Sequence, residues 1–255
     1  MKKLLCAFLL AHAGWAQATL IKKAVEYKDG DTVLEGVLVY DDTETTPRTG
    51  ILVAHDWLGV TGKTLEKAEQ FAKQGYVAFA ADVYGKGVRP SGATAGQEAG
   101  KYKGDRKLFR KRMTLALKQL EKQNQVNKKS LFAVGYCFGG TGVIELAREG
   151  AKLKGVISVH GGLDSPEPAL GQKIKTKVLV LHGADDPFVA AQDLQAFEQE
   201  MRAAKVDWQL VKYGNAVHSF TDKTAGTDNS KGAAYNANAD ARSWQAIIQF
   251  LAENR

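Results

Sequence analysis

The chain is poor in cysteine, methionine and proline: 2 Cys, 3 Met and 5 Pro in 255 residues. Two cysteines cannot staple a disulfide-dense scaffold. So few prolines, beside 26 glycines in no repeating triplet, exclude a collagen-like or Pro-rich chain. No H-x-x-x-H or C-x-x-C spacing offers a metal site, and the phosphate-loop pattern Gly-x-x-x-x-Gly-Lys-Ser/Thr is missing. A mean hydropathy of -0.27 excludes a multi-span membrane protein. What is present is 44% apolar and 25% charged residues, enough for a substantial core in one large α/β domain. The net charge of +7 permits an anionic partner without requiring one.

The first residues read as a leader. Met1-Lys2-Lys3 is basic, Leu4 begins an apolar run that ends at Ala13, and Ala16-Gln17-Ala18 is a small-x-small cleavage pattern. That run is too short to span a bilayer core of about 30 Å. The expectation is a signal peptide over 1–18, cleaved after Ala18, and one domain over 19–255, secreted or periplasmic and without a membrane anchor. Cys6 would leave with the leader, so Cys137 becomes the lone thiol of the mature chain. In an oxidising compartment such a thiol is either buried and inert or kept for its reactivity.

Beyond residue 19 the hydrophobic pattern alternates between strands and helices. Residues 21–27 and 32–40 read as two strands joined at Asp29-Gly30, a hairpin signal. Apolar strands follow at 50–54, 76–81, 131–135, 156–159, 178–181 and 208–213. Helices are predicted over 64–74, with Leu65, Ala68 and Phe71 inward and Gly75 ending it, and from Asp105, with the stripe Phe109, Met113, Leu117 and Leu120. Two more carry Ala190, Leu194, Phe197 and Met201, then Trp244, Ile247, Ile248 and Leu251. The Gly-rich polar stretch 83–103 and residues 225–240 read as surface loops. This alternation predicts one domain with a mainly parallel, doubly wound α/β sheet, helices on both faces and an antiparallel N-terminal edge hairpin.

Chemistry-bearing residues fall at the C-terminal ends of the predicted strands. Gly135-Tyr136-Cys137-Phe138-Gly139 is a nucleophile elbow with cysteine in the serine position. Its glycines permit a turn so tight that a Cβ on either would clash, and the thiol then projects at a helix N-terminus, where thiolate and oxyanion are both favoured. Asp185 and Asp186 follow a later strand, and His218 follows the last one. Nucleophile, acid, histidine is the order of the α/β-hydrolases: histidine takes the thiol proton and the acid fixes its tautomer. His55, His160 and His182 also end strands, in packing or pocket-lining roles.

In four motifs the sequence resembles the dienelactone hydrolase family over nearly the whole of 19–255. Gly-Tyr-Cys-Phe-Gly-Gly (135–140), Asp-Pro-Phe-Val (186–189), His-Ser-Phe (218–220) and Val-Ala-His-Asp-Trp-Leu-Gly-Val (53–60) carry the likeness. The resemblance implies Cys137 as nucleophile, His218 as base and Asp186, rather than Asp185, as acid. It implies backbone N–H groups of Trp57 and Phe138 as the oxyanion hole. It places Asp56, one methylene shorter than the family's glutamate, beside the thiol, where a carboxylate would hold the resting thiol protonated. The archetype's two substrate-gripping arginines correspond to Lys86, two residues after Tyr84, and to Asp222, which argues for a neutral ester, lactone or thioester; Arg89 is a second candidate cation. Lys86, His160 and Tyr84 are the candidate substrate contacts. The resulting expectation is a monomeric hydrolase of small esters or lactones that needs no cofactor, no metal and no nucleic acid. Two other readings stay open: a catalytically silent binding protein of the same fold, and a polyanion-binding protein. The latter would use Arg106, Lys107, Arg110, Lys111 and Arg112 on the outer face of their helix, otherwise a solvated surface.

Overall fold

Gly30, at φ 57°, turns the chain between strands β1 (Leu20–Asp29) and β2 (Thr32–Asp41), which pair antiparallel with Asp29 opposite Thr32. The structure, a computed structural model, describes residues 19–255; the leader expected over 1–18 and its Cys6 lie outside the described residues. β2 pairs antiparallel with β4 (Val77–Ala81), and every remaining pairing is parallel. The sheet order is β1-β2-β4-β3-β5-β6-β7-β8, with β3 (Arg48–Ala54), β5 (Val126–Tyr136), β6 (Gly155–Val159), β7 (Lys177–Gly183) and β8 (Trp208–Tyr213).

Central strands such as Val77-Ala-Phe-Ala-Ala81 are buried at every residue, as a strand covered on both faces requires. Side chains alternate between the two cores. Ile51 and Val53 pack with α1 (Gly62–Ala72) and α6 (Ala237–Glu253). Leu52 and Ala54 pack on the other face with α2 (Ala93–Gly104), α3 (Arg106–Glu121), α4 (Phe138–Arg148) and α5 (Ala191–Ala203). This is the expected doubly wound architecture with its antiparallel edge. The chain runs outward from β3 to β4 and then in the opposite direction from β5 to β8, so the order reverses between β3 and β5. A crevice forms at the carboxyl ends of strands at such a point.

Three expectations differ from the structure. Residues 83–103 are not one loop, because they contain most of α2, which buries Ala95, Ala99 and Tyr102 at i, i+4, i+7. Small residues and two intervening glycines made that stripe faint. The basic face of α3 is not a solvated cationic surface. Arg106 pairs with Glu145 and Asp164, Arg110 with Glu145, Glu149 and Glu167, and Arg112 with Asp29, all three arginines buried. Their partners lie on elements distant in sequence, and the pairing takes all three arginines out of a polyanion surface, while Lys107 stays exposed and Lys111, also exposed, pairs with Asp29. The stretch 225–240 also carries structure: short 3-10 turns at Lys223–Ala225 and Asn229–Lys231 precede α6, whose N-terminus is capped by Asn236 accepting from Ala239 N at 3.1 Å.

Candidate active site

The turn from β5 into α4 has no room for side chains at its glycines. A Cβ on Gly135 would lie 1.9 Å from Gly139 O, and one on Gly139 would lie 2.4 Å from Ala54 O. Between them Cys137 adopts φ 54°, a conformation rare for a residue with a side chain, held by Cys137 N donating to Val159 O at 3.0 Å. Phe138 is the first residue of α4, so its N–H is among those without an intrahelical partner.

Two loops converge on this thiol. Past β8, His218 places Nε2 3.0 Å from Cys137 Sγ, and past β7, Asp186 places Oδ2 2.8 Å from His218 Nδ1. The other Asp186 oxygen accepts from Phe188 N at 2.9 Å, which fixes the carboxylate's rotation. Phe188 itself stands 64% exposed, its ring edge-on to His218 at 5.4 Å. Burial alone would discharge the His218 imidazolium, but the hydrogen bonds and charges of Asp186 and Cys137 outweigh it and raise its pKa to about 10. A group raised in this way from 6.5 adds stability that is complete below pH 6.5 and vanishes as pH rises through about 10. Urea midpoints are therefore expected to fall from pH 7 to pH 10 more steeply in the wild type than in an Asp186→Asn variant.

The remaining candidates separate into those that line the cavity containing the thiol and those that do not. A cavity of about 440 Å³ opens at this end of the sheet, and Cys137, Asp56, Trp57, His160 and Asp222 line it. Asp56 turns an oxygen to Leu58 N at 2.8 Å, and burial raises its pKa. Asp222 is paired with Lys63 at 2.7 Å. Tyr84 is not among the lining residues; its hydroxyl donates to Trp57 O at 3.1 Å, and burial together with the nearby charge of Cys137 raises its pKa. Lys86 is not at the site: it lies exposed and paired with Glu26 and Glu35 of the β1–β2 hairpin, whose carboxylates hold it away. Arg89 donates to Val88 O at 2.7 Å and is likewise outside the cavity lining.

The other histidines are buried and held below their ordinary pKa by that burial. His55 accepts Val83 N on Nε2 at 3.3 Å, so its Nδ1–H donates to Asp56 O. His160 takes φ 40° and accepts Cys137 N on Nδ1 at 3.1 Å, with Nε2 2.9 Å from Thr221 Oγ1. His182 leaves Nδ1 without a partner among the described residues.

Sequence reasoning did not single out Thr221, Lys63 or Lys67 as cavity residues. Lys67 Nζ stands 5.2 Å over the Tyr136 ring, a cation–π distance. The signal for the lysines was the polar face of α1, Lys63, Lys67 and Gln70, which the amphipathic pattern assigns to solvent and the structure turns onto the cavity.

A family model for the dienelactone hydrolase family matches residues 34–254. The chain is 38% identical to a solved dienelactone hydrolase-like promiscuous phosphotriesterase from metagenomic libraries, at a TM-score of 0.87 covering 92% of this chain and 98% of that one. It is 36% identical to the solved m3DLH, at a TM-score of 0.89 with the same coverage. An uncharacterised Caenorhabditis elegans protein, K02A2.1, is 36% identical over 146 residues, 56% of this chain and 91% of its own.

Proposed function

Because the chain belongs to the dienelactone hydrolase family of hydrolases, we propose that it cleaves a small ester or lactone with Cys137 as nucleophile, His218 as base and Asp186 as the orienting acid. The observation that carries the reading is the unbroken line from Sγ through the imidazole to the carboxylate, set on a strained elbow. Cys137 Sγ attacks the carbonyl carbon as a thiolate whose proton already rests on His218 Nε2, the state that the raised His218 pKa favours, and the N–H groups of Trp57 and Phe138 receive the oxyanion. Collapse breaks the bond to the alcohol oxygen, which takes the proton from His218 and leaves a thioester. His218 then draws a proton from water, whose oxygen attacks the thioester carbon, and expulsion of the thiol completes hydrolysis.

The positions that carry arginines in the archetype hold an outward-facing, ion-paired Lys86 and an Asp222 tied to Lys63. That supports a neutral ester or lactone. The leader pattern over 1–18 supports export, as a secreted or periplasmic enzyme.

The test is to trap the intermediate. Protein mixed with p-nitrophenyl acetate and quenched in acid is expected to carry one acetyl group, located by peptide mass on Cys137. Hydrolysis that proceeds with Cys137 unacetylated, or that survives its alkylation by iodoacetamide, rejects this nucleophile.

A further inference from the structure

Cys137 and His218 sit on separate loops, and the chemistry needs them together twice. In the resting site the thiol itself joins them, through the 3.0 Å contact to His218 Nε2. Once Sγ is acylated it carries no proton, and that link between the loops is gone while His218 must still hold a water in line with the thioester.

Among the described residues a second polar side-chain connection joins the elbow to the 218–221 loop, and it does not involve the thiol. Cys137 N–H is an obligate donor shared between Val159 O at 3.0 Å and His160 Nδ1 at 3.1 Å, so Nδ1 is one of its two acceptors. A neutral imidazole accepting on Nδ1 carries its proton on Nε2, so Nε2–H donates to Thr221 Oγ1 at 2.9 Å. Thr221 lies three residues beyond His218 on the same loop. His160 is 3% exposed and Thr221 7%, so neither nitrogen nor hydroxyl can readily exchange its partner for bulk water. His160 also adopts φ 40°, a left-handed conformation, while its own N–H donates to Leu181 O at 2.8 Å. Strain of this kind persists where the surroundings over-determine it. Its ring stands edge-on to that of His218 at 5.3 Å.

We infer that His160 and Thr221 are positioning residues, a bridge from the nucleophile's backbone to the base's loop that holds His218 in register through deacylation. The inference rests on the proposed role of Cys137, and it concerns the second half of the reaction. A base displaced by a fraction of an ångström while the thiol no longer anchors it loses the water's line of attack.

Thr221→Val keeps the shape and removes the acceptor. With p-nitrophenyl acetate, acetyl-Cys137 is expected to form at the wild-type rate and to persist about tenfold longer. Because kcat then reports deacylation while kcat/KM reports acylation, kcat and KM should fall together and kcat/KM stay within about twofold. Thr221→Ser, which restores the hydroxyl, is expected to recover wild-type deacylation. Equal loss in kcat and kcat/KM would indicate general disturbance of the site and overturn the bridge, as would unchanged deacylation in Thr221→Val. If the wild type never acetylates at Cys137, the nucleophile assignment itself fails, and the bridge falls with it; an acetylated wild type with an indifferent Thr221 overturns the bridge alone.

Discussion

Asp186→Asn is expected to lower kcat for ester hydrolysis by about 10⁴-fold while the protein stays folded. The size of the loss follows from which way the new amide must point. Asp186 Oδ1 accepts from Phe188 N at 2.9 Å, and Oδ2 lies 2.8 Å from His218 Nδ1. An asparagine has one acceptor and one donor end, and the Phe188 N–H claims the acceptor. The NH₂ group is therefore left facing His218 and donates to Nδ1. A neutral imidazole accepting there holds its proton on Nε2, where it presents a donor to Cys137 Sγ instead of a lone pair. The base is then in the wrong tautomer to take the thiol proton, and the carboxylate charge that supports its imidazolium is also gone. Steady-state rates on p-nitrophenyl acetate, beside thermal unfolding of both proteins, check this. A variant that keeps more than about a tenth of wild-type kcat would remove Asp186 from the mechanism.

How much of this site was legible depended on how far each signal reached along the chain. Cys137 was readable because its constraint is local: Gly135 and Gly139 flank it within one turn, and their role is the clash a Cβ would meet there. Asp186 and His218 were readable through order and through position at strand ends, since a parallel sheet brings those ends to one edge. The sheet itself followed from apolar runs such as 77–81, buried on both faces.

What stayed hidden was set by partners remote in sequence. Lys86 matches a family position by its spacing from Tyr84, yet Glu26 and Glu35 on an edge hairpin decide where its side chain goes. Periodicity gave α3 its apolar stripe but not the carboxylates that bury its arginines, 35 residues or more away. His160 read only as a histidine ending a strand. Its bond to the backbone N–H of Cys137, 23 residues earlier, depends on the register of β5 against β6 and on a φ of 40° that periodicity does not encode.

The same remoteness produces the largest expected effect on stability. Arg148→Met should destabilise the fold by about 3–5 kcal/mol, seen as a lower urea midpoint with an unchanged slope. Arg148 is 0% exposed at the end of α4. Its Nε and Nη2 grip both oxygens of Glu200 on α5 at 2.9 and 2.6 Å, and Nη1 reaches Glu145 at 2.9 Å. Methionine fills a similar volume, so the loss is not one of packing. Glu145 would keep Arg106 and Arg110 as partners. Glu200, itself buried, has no other ion pair among the described residues, and its charge would be left in the core. Burying a carboxylate without a partner costs more than the pair contributed, because the desolvation is retained while the attraction is lost. The orphaned carboxylate also sets the behaviour of the double variant. Arg148→Met with Glu200→Leu removes both charges and should recover most of the lost stability, since a buried ion pair and an apolar pair of similar volume are nearly equivalent. If the double variant is as unstable as Arg148→Met alone, the clamp between α4 and α5 matters in itself, and the cost lies in losing its directional bonds rather than in the orphaned carboxylate.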